Sequence, residues 1–231
     1  MLIKPHLRDF VSLFFPPACA GCGAVLGKGE PVICVACAYH LPYTHFHKDP
    51  ANRGARQLWG RVPLEGVTAY LYFYEPSRVQ NIVHLLKYRN RPDIGVAMGR
   101  KYGEVLCGTA PYSKADCIIP VPLHPRKLRR RGYNQSASFG QGLSVTMQKP
   151  LIENGLRQCR PTKSQTRKGR YQRFENSRKV FEVTDPELLS GKHILLVDDV
   201  LTTGATVEAC AAALLADPTV RVSVVTLAHA L

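Results

Sequence analysis

Apolar positions along this chain fall into short blocks of two different periods. Residues 67–74 read Val-Thr-Ala-Tyr-Leu-Tyr-Phe-Tyr. Aromatic and β-branched residues alternate there over two faces, which predicts a strand. Pro76 and Ser77 then open a helix in which Val79, Ile82, Val83 and Leu86 form one apolar stripe. The same reasoning predicts a helix over 94–106, a buried strand over 117–121 ending in Pro-Val-Pro, and a helix over 134–145. Further on it predicts a short strand over 156–159, a helix through 170–178, an apolar strand over 193–197, a helix over 204–215 and a last strand over 220–227. Strands alternating with helices predict an α/β fold with a parallel sheet. Between His45 and Gly60 no period holds. Pro50, Gly54 and Gly60 among polar residues predict a linker or irregular connection there. Residues 10–15 form an apolar piece stopped by Pro16 and Pro17, with no small-residue cleavage site after it. That pattern predicts a short amphipathic helix and no secretory signal. No apolar run reaches the roughly eighteen residues a membrane span needs, so none is expected.

Length and composition fit this picture. At 231 residues and 45% hydrophobic, the chain can bury one α/β domain with an appendage, or two modest domains. The expected division is a cysteine module with its linker at 1–60 and the α/β domain at 61–231. The net charge of +14 is unevenly placed: residues 84–180 hold 21 Lys+Arg against 5 Asp+Glu. Such a field calls for an anionic ligand, and either a pyrophosphate or a nucleic acid satisfies it. Of eight cysteines, Cys107, Cys117, Cys159 and Cys210 are scattered through predicted strands and helices. Scatter of this kind predicts buried free thiols in a reducing compartment, hence a cytoplasmic protein.

The other four form two Cys-x-x-Cys units, Cys19 with Cys22 and Cys34 with Cys37, eleven residues apart. Two such knuckles suit a structural Zn²⁺, whose four thiolates converge from two tight turns. The spacing makes the ribbon small, and a redox use of Cys-x-x-Cys is the alternative. A four-cysteine site has no open position for catalysis, and His40, His45 and His47 are expected at the surface.

The densest chemistry follows the apolar run at 194–197. Asp198 and Asp199 come at once, then Val200 and Leu201, then Thr202, Thr203, Gly204, Ala205 and Thr206, then a helix. In open parallel sheets ligands bind at the carboxyl ends of strands. Gly204 permits a tight turn, and the amides of 202–206 open a helix whose partial positive charge attracts an anion. A phosphate monoester fits this cradle. No lysine is present in it, which excludes a Walker-type loop. Asp198 and Asp199 suit the vicinal hydroxyls of a ribose, or a Mg²⁺ bound near them.

A second anion-binding stretch is predicted at Val121, Pro122 and Leu123, where proline rigidity and free amides suit pyrophosphate. Arg131 adds a bidentate contact, and Lys87 and Arg89 end the first long helix. Residues 163–179 carry seven Lys+Arg and one acid. They read as a flap that closes over the pyrophosphate, or as a basic loop. Arg129, Arg130, Arg167, Lys168, Arg170 and Arg173 are candidates for nucleic-acid phosphates. Tyr133, Phe139, Tyr171 and Phe174 interleave with them as candidate stacking residues. No residue stands out as an acceptor-specific general base, so the catalytic residues are unknown.

The stretch from 194 to 206 resembles the signature of type I phosphoribosyltransferases. The resemblance implies a Rossmann-like fold that binds 5-phosphoribosyl-1-pyrophosphate (PRPP) with Mg²⁺. A Phe-Pro-Pro lead-in, the four cysteines, Arg131-Gly132-Tyr133-Asn134-Gln135 and this signature occur in that order. Together with Gln165, Arg173, Asn176 and Phe181 they resemble the ComF (ComFC) family of bacterial competence proteins over nearly the whole chain. One departure is Gln172, where the family has Glu. The family resemblance implies a zinc ribbon on a phosphoribosyltransferase-like domain and a role in natural transformation, handling imported single-stranded DNA beside DNA-uptake or helicase-type competence proteins. It leaves open whether phosphoribose is transferred to a base or amine.

Overall fold

The computed structural model describes residues 16–159 and 180–231. Four strands make the central sheet: β1 (Gly66–Phe73), β2 (Cys117–Pro120), β5 (His193–Leu201) and β6 (Arg221–Ala230). Their order is β1-β6-β5-β2, and every pairing is parallel. β3 (Leu156–Gln158) and β4 (Phe181–Val183) pair antiparallel beside it. The helices are α1 (Val35–His40), α2 (Arg53–Leu58), α3 (Arg78–Tyr88), α4 (Pro92–Leu106), α5 (Pro125–Arg131), α6 (Gln135–Met147), α7 (Pro186–Leu189) and α8 (Ala205–Leu214).

The two-residue period of the strands divides the core into two layers. On one face Leu195 and Val197 of β5, with Val225 and Leu227 of β6, join the buried residues of α3, α4 and α6. On the other, Ile194 and Leu196 with Val222 and Val224 meet Ala55 and Leu58 of α2 and Val207, Cys210 and Leu214 of α8. Helices on both faces explain why β5 is apolar at successive positions. The cysteine segment belongs to the first layer, where Cys19, Ala20, Val32, Ile33 and Cys37 share one cluster with Val79 and Ile82. Asn81 of α3 donates to the Gly21 carbonyl at 2.9 Å.

α4 and α6 approach with backbone against backbone. Gly95, Gly99 and Gly103 make a stripe on α4, and a Cβ at Gly99 would lie 2.1 Å from the Phe139 carbonyl oxygen. A Cβ at Gly142 would lie 2.2 Å from the Val96 carbonyl oxygen. This close crossing fixes the first turn of α6, which carries site residues.

Three expectations change. β5 does not stop at Val197, because β6 continues beside it and pairs Asp198 with Thr226, Val200 with Ala228 and Leu201 with His229. The acidic pair therefore lies within a strand, not in the turn after it. Residues 45–60 are not a linker: they form a 3-10 turn and α2, with Phe46, Asn52, Ala55 and Leu58 buried. The missing period reflects elements too short to display one. The basic run 126–131 lies in α5, where Pro125 takes the first helical position at which its missing N–H costs nothing. Of the scattered cysteines only Cys117 and Cys210 are buried, while Cys107 and Cys159 are exposed. The expected helices at 10–15 and 170–178 lie outside the described residues, as do Gln165, Arg167, Lys168, Arg170, Tyr171, Gln172, Arg173, Phe174 and Asn176.

Candidate functional site

At the carboxyl end of the sheet lies a cavity of about 390 Å³. Its wall brings together Lys87 from α3, Val121, Pro122 and Leu123 after β2, and Arg131 from the end of α5. Asp198 and Asp199 from β5 and Thr202 and Thr206 from the following turn lie in the same wall. Every one of these was expected at an anion, ribose or metal site from the sequence, and they come from segments up to 119 positions apart. Thr203, Gly204 and Ala205 shape the turn between the two threonines. Gly204 has φ +76° and caps α8, a conformation that an L side chain resists. Arg129 and Arg130 point elsewhere: α5 buries none of its residues, and both arginines are exposed.

The acidic pair is tightly held. Ser136 Oγ donates to Asp198 Oδ1 at 2.9 Å, and the Asp199 amide donates to the same oxygen at 2.8 Å. Lys87 Nζ lies 3.2 Å from Asp199 Oδ2. Burial raises the Asp198 carboxyl above the usual carboxylate range, and the charge of Asp199 adds to the rise, while Ser136 and Lys87 oppose it. Two adjacent carboxylates, both half-buried, are relieved by a cation, and Lys87 already supplies one to Asp199. The hard oxygen donors of Asp198 and Asp199 fit Mg²⁺ by their chemistry.

The run Arg131 to Ser136 explains itself residue by residue. Gly132 ends α5 at φ +81°. Tyr133 donates its hydroxyl to the Leu86 carbonyl and so ties this run to α3. Asn134 caps α6 through Ser136 N at 3.0 Å and donates to the Val121 carbonyl at 3.0 Å, which fixes the loop after β2. Gln135, 1% exposed, accepts from Arg131 Nη1 at 2.8 Å, and the guanidinium lies 5.7 Å from the Tyr88 ring centre. Ser136 reaches Asp198. Sequence reasoning missed Ser136, Gln57 and Arg61. Asn134 as a helix cap was a usable signal for Ser136, since it puts the next residues in a first turn facing the strand ends. For Gln57 and Arg61 the sequence holds none.

Of the expected stacking residues, Phe139 is fully buried and reaches no base. Tyr133 is committed to α3 through its hydroxyl.

The four cysteine sulfurs lie within 4.8 Å of one another. Cys22 Sγ and Cys34 Sγ are 3.8 Å apart, and Zn–S bonds of about 2.3 Å in a tetrahedron place sulfurs about 3.8 Å apart. Backbone amides already point at the sulfurs, Cys34 N at Cys19 Sγ (3.3 Å) and Cys37 N at Cys34 Sγ (3.4 Å), as thiolate ligands require. The donor set fits Zn²⁺. Three further predicted surface residues divide: His40 and His45 are exposed, whereas His47 is buried enough that its imidazole is held below the ordinary range.

A parallel sheet with helices on both faces and an acidic pair beside a threonine-rich turn at its carboxyl end defines a phosphoribosyltransferase-type protein. The model of the phosphoribosyl transferase domain matches residues 131–230, the span that contains the acidic pair and the turn. Whole-chain relatives narrow the class. The chain is 32% identical over 202 residues to DNA utilization protein YhgH of Escherichia coli strain K12, covering 85% of this chain and 84% of that protein. It is 30% identical over 209 residues to the protein of that name from Escherichia coli O157:H7, covering 89% and 87%. With Competence protein F of Haemophilus influenzae it shares 31% over 207 residues, covering 88% and 86%. The chain belongs to the ComF family: a competence-related, phosphoribosyltransferase-like protein with an N-terminal four-cysteine cluster. Among the described residues no helix is long and apolar enough to cross a membrane.

Proposed function

We propose that the cavity binds PRPP together with Mg²⁺, and that the protein uses this site while handling imported single-stranded DNA in the cytoplasm during natural transformation. The 5′-phosphate rests on the turn from Thr202 to Thr206, the ribose hydroxyls and Mg²⁺ meet Asp198 and Asp199, and the pyrophosphate lies against Val121, Pro122 and Leu123 with Lys87 and Arg131. The observation that carries this reading is the convergence of an anion cradle, an acidic pair and three cations, Lys87, Lys127 and Arg131, on one 390 Å³ cavity. Equilibrium dialysis with PRPP tests it through Thr206→Val and Arg131→Met. Each is expected to weaken binding by about tenfold, as lost charge-assisted contacts do. Unaltered binding in both would remove the assignment.

The DNA part draws on the exposed Arg129 and Arg130, the charge concentrated in 84–180, and relatives named for DNA utilization and competence. Single-strand affinity is expected to fall with salt at a log–log slope of about −0.7 per phosphate contacted. Arg129→Ala with Arg130→Ala should flatten that slope by roughly one to two. A salt-independent affinity, or an unchanged slope in the double variant, would count against this surface. Uptake machinery and helicase-type competence proteins are the partners this role requires.

A second reading is transfer of ribose 5-phosphate to a base or amine. Phe73 and Val83, which line the same cavity, favour it by offering an apolar wall to a planar acceptor. Screening pyrophosphate release from PRPP across bases and amines, with and without single-stranded DNA, decides it: a hit establishes an enzyme, and none leaves the binding role.

A further inference from the structure

We propose that Gln57 and Arg61 are positioning residues of the phosphate turn, so that the segment before the sheet determines how the protein holds the phosphate end of its ligand. The inference rests on the reading of the turn as a 5′-phosphate cradle. The observation is a set of contacts behind the turn, on the side away from the cavity. Gln57 Nε2 donates to the Thr202 carbonyl. Arg61 Nη1 donates to the Thr203 carbonyl at 3.2 Å and lies 3.4 Å from Glu208 Oε2, which holds the guanidinium. Leu58 lies beneath Gly204, where a Cβ would come within 2.8 Å of Leu58 Cδ2.

Peptide planarity turns these outer contacts into inner ones. In a trans peptide the C=O and the following N–H point in opposite directions. Pinning the Thr202 carbonyl toward α2 therefore aims the Thr203 amide the other way. Pinning the Thr203 carbonyl does the same for the Gly204 amide. A polar backbone turn without such anchors samples flipped peptides, and a flipped peptide presents a carbonyl oxygen to a phosphate. The donors on the outer side also polarise each peptide, which strengthens the opposed N–H as a donor to an anion.

Gln57 is itself oriented. Its Oε1 accepts from His229 Nε2 at 3.1 Å, and His229 is 1% exposed at the end of β6. Burial holds the His229 imidazole below its ordinary range, so it stays neutral. One amide of Gln57 thus reads a buried histidine on one side and sets a peptide of the cradle on the other. α2, its cap Asn52 and β6 form the frame, with Asn52 Nδ2 donating to the Val67 carbonyl at 2.7 Å.

The test separates the two ends of the ligand. Ribose 5-phosphate probes the turn, and inorganic pyrophosphate probes the loop after β2. Both are titrated calorimetrically against the full zinc-loaded chain, in the unaltered protein and in Gln57→Leu, Arg61→Met and Arg61→Lys. The expected result is a loss of about tenfold in ribose 5-phosphate affinity for Gln57→Leu and Arg61→Met, from one lost carbonyl anchor each. Pyrophosphate affinity should stay within about twofold, and Arg61→Lys, which keeps a donor, should recover most of the loss. Arg61 is exposed, so its variants fold even if Gln57→Leu does not. Equal losses for both ligands, or no loss for ribose 5-phosphate, overturn the positioning role. Failure of the unaltered protein to bind ribose 5-phosphate or PRPP overturns the ligand reading itself, and the inference with it.

Discussion

Asp198 sits in β5 between the like charge of Asp199 and the hydroxyl of Ser136, and its position is set by neighbours 62 residues away in sequence. The residue types of the acidic pair and of the threonine-rich turn were legible from sequence, because strand, acid pair, glycine and threonines are contiguous. The contacts that orient them were not: Ser136, Gln57 and Arg61 arrive through tertiary packing, as does the pairing of Lys87, itself an expected site residue, with Asp199. Buried histidines belong to the same class of hidden residue. His193 is 1% exposed with Nε2 2.9 Å from Ser223 Oγ, and burial depresses its imidazole, as it does for His229 and His47. A histidine held neutral in the fold takes a proton more readily when unfolded. Its contribution is present above the ordinary imidazole pKa of about 6.5 and is lost as pH falls below it. Between pH 7.5 and pH 5.5 the raised carboxyl of Asp198 works in the opposite sense, so the histidine contribution is read as a difference: the urea midpoint of His193→Gln should fall less, or rise more, on acidification than that of the unaltered chain. An identical pH dependence in the variant would contradict this assignment.

Among elements, the long periodic ones were legible: β1, α3, α4, α6, α8 and β6 lie within a few residues of their predicted spans. The short ones were not. α1, α2 and α7 have six residues or fewer, too few for a helical stripe to recur. The length of β5 depended on β6 continuing beside it, which no local pattern records. The glycine stripe of α4 was present in the sequence, but its meaning lay in α6, a segment not adjacent to it. Gly99→Ala and Gly142→Ala each drive a methyl group into opposing backbone, which cannot step aside as a side chain does. Each should destabilise the fold by about 1–3 kcal/mol or more in denaturant titrations. Gly108→Ala, where nothing lies within 4 Å, should leave the midpoint almost unchanged. Equal effects at all three positions would show that close helix approach is not what these glycines serve. Because α6 presents Gln135 and Ser136 to the cavity, the two helix variants should also weaken ligand binding.

At the scale of the molecule, two features set apart in sequence meet in one body. The cysteine cluster shares a hydrophobic layer with α3, and α3 carries Lys87 into the cavity. Removing zinc should therefore loosen more than the knuckles. One zinc per chain is expected on release by a thiol-directed mercurial, with a fall in the thermal midpoint of the whole chain and loss of metal in Cys22→Ser. Zinc-free protein that melts at the same temperature would separate the cluster from the fold. The charge asymmetry was legible at once, yet it did not distinguish pyrophosphate from nucleic acid. In the structure Lys87 and Arg131 line the cavity, whereas Arg129 and Arg130 are exposed. The central claim is that the acidic pair and the threonine turn together hold PRPP. Calorimetric titration of PRPP with Mg²⁺ tests it most directly, comparing the unaltered chain with the Asp198→Ala/Asp199→Ala double variant. The account predicts binding that requires Mg²⁺ and disappears in the double variant, and unchanged affinity in that variant would contradict it.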